Sequence, residues 1–157
     1  MIQTGQCDSL EVAANDPLLA RVPLEHEAIV YRYGYPIRIR SNSLTPLDTA
    51  RKSWNTCECR YDDAPLDIRL FLSKSDSPGC LEIPTVRSRG HLLSIVADHE
   101  NFASLDLKTG FAAGWLTEST IQNEEYFREN ILCAMIDPLL EARNIITMDA
   151  AGAVYPR

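Results

Sequence analysis

The stretch "FASLDLKTGFAAGWLT", residues 102–117, settles the architecture. FASLDL and FAAGWLT are strand-like runs, and KTG lies between them. A three-residue connection that includes glycine is a common hairpin loop, so the chain reverses at Gly110 and the two runs pair antiparallel. Upstream, "HLLSIVAD" is a strong apolar run closed by the turn "HEN". Before it, "CLEIPTV" reads as a short strand. Pro84 lacks the N–H that a ladder needs, so this strand belongs at an edge. "LDIRLFLSK" places Leu66, Ile68, Leu70 and Leu72 on one face of another strand. "EAIVYRYGYPIRIRSN" alternates too, with Ile29, Tyr31 and Tyr33 on one face, Ile37 and Ile39 on another, and "GYP" as the turn of a second hairpin.

Helices are few. In "SNSLTPLDTARKSWNT", Thr45 is the expected N-cap and Pro46 the first helical residue. Leu47, Ala50 and Trp54 then share one face. A second helical region begins near Ser119, which with Gln122 fits a capping box. Its stripe is Phe127, Ile131, Leu132, Met135, Ile136, Leu139 and Leu140. Pro138 lies inside the stripe and removes a hydrogen bond to residue 134, which predicts a kink or two abutting helices. "IITMDAA" reads as a last strand. The expected fold is α+β: a mainly antiparallel sheet with few helices and a long C-terminal helix packed on it. Residues 1–24 are weakly patterned and expected to form a weakly ordered arm. Residues 25–157 form the single α+β domain.

The chain has 157 residues, enough for one domain that buries roughly 68–70% of its unfolded surface. Its net charge is −7, which disfavours nucleic acid as a partner. No apolar run reaches membrane-spanning length, so no membrane role is expected. The N-terminal residues lack the basic and apolar regions of a secretory signal. The five cysteines are irregularly spaced and odd in number, as in reduced cytoplasmic proteins, so the expected location is the cytoplasm.

Candidate chemistry is sparse. Asp98, His99 and Glu100 end an apolar strand, as does the magnesium-binding carboxylate of nucleotide-hydrolysing enzymes. That role needs a phosphate loop of the form G-x-x-x-x-G-K-[ST], and the sequence has none. The plainer reading is a polar turn. Arg32, Arg38 and Arg40 interleave with tyrosines, as on a phosphate or nucleic-acid surface. Their plainer reading is a solvent-facing row on a hairpin. Cys57 and Cys59, if on a strand, would put two sulfurs on one face, but zinc needs two further ligands. Cys80, His26, His91 and His99 are scattered singly, and Cys133 reads as core. No acid/base dyad stands out. No catalytic, cofactor-binding or metal-binding residue is assigned, which leaves Arg32, Arg38, Arg40, Asp98, His99 and Glu100 as surface candidates.

The segment "EEYFRENILCAMIDPLLEARNIITMDAAGAVYPR" resembles the lead-in to the kinase core of HPr kinase/phosphorylase-like proteins. There, a helix with an aromatic start precedes a strand and an "HAAAV"-type turn. A hairpin and a glycine-rich phosphate loop follow. Asp149 stands where that family usually shows histidine. "SIVADHENFASLDLKTGFAAGWLT" is similar to the antiparallel N-terminal half of such relatives, so the resemblance covers about residues 90–157. It implies a non-catalytic N-terminal domain of an ATP-dependent serine kinase, serving packing, oligomerisation or substrate presentation. The chain would be a piece of a longer protein or a product that lost its kinase half. ATP and magnesium would belong to the kinase core, with no cofactor in this chain. The implied partners are that core, a protein substrate or a second copy. The alternatives are a free-standing ligand- or protein-binding module and, more remotely, a small enzyme with dispersed residues.

Overall fold

A computed structural model describes residues 15–79 and 82–146. The protein is α+β. Seven strands form one sheet: β1 (His26–Arg32), β2 (Tyr35–Ser41), β3 (Leu66–Ser73), β4 (Thr85–Arg89), β5 (Leu92–Val96), β6 (Phe102–Asp106) and β7 (Phe111–Thr117). Their order is β1-β2-β3-β7-β6-β5-β4. Four of the pairings are antiparallel, and the two on either side of β3 are parallel.

The β1–β2 turn puts Tyr33 and Gly34 at φ values of 52° and 85°. Positive φ at both central residues is the twist-matched form of a two-residue hairpin. The faces of this hairpin follow the sequence reading, with Ile29 and Tyr31 on one face and Ile37 and Ile39 on the other. Ala28 pairs with Ile39 and Val30 with Ile37, and directly paired residues share a face. Ala28 and Val30 therefore turn inward, and Ile29 is 47% exposed. The β6–β7 hairpin forms as expected, though its loop has four residues, Leu107–Gly110. The Asp106 carboxylate closes it by accepting the N–H groups of Lys108 and Thr109. β4 begins just after Pro84 and is an edge strand.

Helix α1 (Thr45–Trp54) crosses between β2 and β3 and buries Leu47, Ala50 and Trp54. Thr45 is its first residue rather than its cap, because the chain at Leu44 is already helical. After β7, the short α2 (Glu118–Gln122) is capped by Thr117 instead of Ser119. Thr117 has the extended backbone of a cap, and its hydroxyl accepts the N–H of Thr120. Asn123 in turn caps α3 (Glu124–Tyr126) through the N–H of Tyr126. The helix continues as a π-helical stretch, Phe127–Leu132, and then as α4 (Cys133–Glu141). α4 runs through Pro138, so the chain does not divide into two helices at the proline. The irregularity lies upstream, in the π turn. Of the predicted last strand, residues 145–146 are irregular and residues 147–151 lie outside the described residues.

The inner face of the sheet and the helices enclose the main core, which runs from Ala28 to Leu140. On the outer face Leu19 and Val22 pack with Phe71 and Ala113. Within the arm expected to be weakly ordered, residues 15–24 thus have their own apolar anchorage. Asp16 shapes this segment, since its carboxylate accepts the N–H groups of Ala20, Arg21 and Val22.

All seven stripe residues of the last helix are at most 1% exposed. Ile131→Ala or Leu132→Ala should cost ~2–5 kcal/mol. Denaturant titration measures this, and an unshifted midpoint would contradict the placement.

Candidate functional site

The candidate arginines divide between the two sides of the sheet. Arg38 and Arg40 point to the outer face, in register with Ile29 and Glu27 on one side and Asp67 and Arg69 on the other. Arg40 Nη2 donates to both oxygens of Asp67, at 2.8 Å each. Arg69 reaches the same carboxylate through Nε and Nη2, at 3.2 and 3.0 Å. Its Nη1 donates to the carbonyls of Leu18 and Leu19, and its guanidinium lies over the Phe111 ring. Arg69 therefore ties the 15–24 segment to the sheet. Arg38 Nε is 3.7 Å from Glu27 Oε1. Burial opposes the charge of Asp67, but hydrogen bonds from Arg40 and Arg69 outweigh it and hold the carboxyl below its ordinary range.

Arg32 follows the inward set Ala28 and Val30. Its Nε and Nη2 bind the two oxygens of Asp137 on α4, at 2.8 and 3.0 Å. The guanidinium also sits over the rings of Tyr33 and Trp54. This pair bolts the first hairpin to the last helix. Burial pushes the Asp137 carboxyl above its usual range, and the Arg32 charge opposes that shift. Burial likewise pushes up the nearby Cys133 thiol, which keeps it protonated and poorly nucleophilic.

Asp98, His99 and Glu100 form the β5–β6 turn. Asp98 Oδ1 accepts the N–H groups of Glu100 and Asn101, at 2.8 and 2.7 Å, and its carboxylate also binds the Asn101 side-chain amide. Asn101 is 1% exposed, and its Oδ1 accepts from both the N–H and the hydroxyl of Thr117. Glu100 accepts the Ser75 hydroxyl. The His99 side chain is 86% exposed. These groups close a turn and fasten it to the start of α2. Cys57 and Cys59 occupy a loop rather than a strand, and both thiols are free. Among the described residues, no group of three or more His, Cys, Asp or Glu side chains is placed to hold a metal ion.

The arrangement neutralises charge and ties elements together. The chain matches no family model, curated protein or solved structure. The important partners Asp67, Arg69, Asp137 and Asn101 have no local sequence signal. Arg32 and Asp137 are 105 positions apart, and only the tertiary fold joins them. Asp16, followed by Pro17, does carry the chemistry of a turn-forming carboxylate.

Asp67→Asn should destabilise the protein by about 1–2 kcal/mol at neutral pH, through weakened charge-assisted hydrogen bonds. Because the folded-state pKa is lowered, the contribution is fully present above the unfolded value. It is lost as pH falls through the folded one. The stability gap between wild type and variant should therefore close below about pH 4. Denaturant titrations across that range test the sign, and a gap that widens on acidification would refute it.

Proposed function

We propose that this chain is the non-catalytic N-terminal domain of an HPr-kinase-like, ATP-dependent serine kinase, acting by packing against the kinase core, by oligomerisation or by presenting a protein substrate. The observation that favours a scaffolding role is the pairing of the candidate cations. Arg40 and Arg69 share Asp67, and Arg32 holds Asp137 bidentately. Guanidinium groups engaged in this way are poor phosphate ligands, because binding phosphate would strand a partly buried carboxylate. Phosphoryl transfer needs donors and magnesium gathered around the phosphates, and these belong in this reading to the kinase core. The last helix ends against the domain, where Ile145 packs on the core, and Ile146 is 74% exposed.

The second reading is a free-standing binding module, and the open edge at β4 favours it. The coding sequence beyond residue 157 separates the two readings. A glycine-rich phosphate loop soon afterwards supports the first, and a stop codon or an unrelated domain supports the second.

Calorimetric titration of the 157-residue chain with magnesium–ATP should give no saturable binding tighter than about 100 μM, which is roughly 5.5 kcal/mol of binding free energy. Tighter binding would place a nucleotide site within this chain and overturn the scaffolding role.

A further inference from the structure

The two edges of the sheet are finished differently. On the outer face of β1 and β2, Glu27 and Arg38 approach diagonally, at 3.7 Å. At the opposite edge every residue of β4 is exposed, and no further strand lies beside it among the described residues. Arg87 and Arg89 stand on the outer face of β4, in register with Ser94 and Leu92. Neither has a carboxylate within ion-pair distance among the described residues. Other sheet arginines, by contrast, are spent on Glu27, Asp67 or Asp137. Val86 lies on the other face of β4 and is 54% exposed, and Ile83 just before the strand is 86% exposed. The approach to β4 is held in place, because the Tyr126 hydroxyl donates to the Glu82 carbonyl. The edge is therefore a positioned ladder of backbone groups carrying unpaired positive charge in a chain of net charge −7.

We propose that β4 is a docking edge for an extended acidic segment of a partner protein, which adds to the sheet as an eighth strand. Strand addition satisfies the outward backbone groups of an edge, and side chains opposite one another set the specificity. The segment places acidic residues two positions apart opposite Arg87 and Arg89. It places an apolar residue between them, on the face that carries Val86. A second copy of this chain is the poorer occupant. A twofold antiparallel pairing centred on Arg87 sets that arginine against itself, and one centred on Ser88 sets Arg87 against Arg89. Like charges directly opposite destabilise a ladder. The proposal stands whether or not a kinase core follows.

The test uses the full 157-residue chain and three fluorescent probes: a peptide of alternating glutamate and valine, its lysine–valine counterpart, and oligothymidylate. Anisotropy should show saturable, salt-sensitive binding of the glutamate peptide alone. Amide exchange on the wild-type chain should show new protection across residues 85–89. The double variant R87E/R89E alters exposed side chains only. It should weaken the glutamate peptide by about tenfold or more and gain affinity for the lysine peptide. The proposal fails if the glutamate peptide does not saturate, if the lysine peptide binds the wild type equally well, or if protection maps elsewhere. Preferential binding of oligothymidylate would reassign the edge to nucleic acid. Dimerisation abolished by R87E/R89E in sedimentation would reassign it to self-association.

Discussion

The burial of the last helix against the inner face of the sheet underlies the other contacts. Its apolar stripe, Phe127 to Leu140, meets strands that contribute Ile37, Ile68, Leu70 and Leu116. Close approach is permitted by Gly114 on β7. A Cβ there would lie 3.0 Å from Leu70 Cδ2 and 3.4 Å from Met135 Cε. Where the helix seats, it also delivers Asp137 to Arg32. The polar clasp is thus a product of the apolar packing, and it fixes the angle at which the first hairpin meets the helix.

The outer face is organised on a different principle. Apolar cover there is local, with Leu19 and Val22 over Phe71 and Ala113. The remaining area between β1 and β3 carries charges that cancel in pairs. Asp67 is the pivot, because it serves two arginines, and one of these also grips the carbonyls of Leu18 and Leu19. Such a face holds a segment in place without forming a second deep core. A cation that completes such an internal network is a poor ligand for a phosphate.

Local periodicity revealed most of the fold. The alternation at Leu66–Leu72, the Gly110 reversal and the seven-residue stripe each report short-range geometry, and each reappears in the structure. Local pattern falls short where tertiary pairing decides. The alternation puts Ile29 on one face and Ile37 and Ile39 on another, but which face turns inward is set by the pairing of Ile39 with Ala28 and of Ile37 with Val30. Ser119 fits a capping box with Gln122, yet the extended backbone at Thr117 makes that residue the cap. The site was less legible for the same reason. Arg32, Arg38 and Arg40 are conspicuous together in sequence, whereas Asp137 and Asp67, which hold Arg32 and Arg40, lie outside the hairpin. A row of cations thus resembles a ligand surface until the fold supplies its counterions.

β3 separates two groups of strands that can each form from short-range contacts: the β1–β2 hairpin and the meander from β4 to β7. Both of its own pairings are parallel and join segments far apart in sequence, with Leu72 beside Leu116. Such pairings must close long loops before they gain contact energy, so they are slow steps in folding. β3, third of the seven strands in order, is therefore expected to join after the local pairings form, and until then the inner edges of both modules stand open. The keystone of the assembly is a single strand, Leu66–Ser73, which joins the hairpin on one side to the meander on the other.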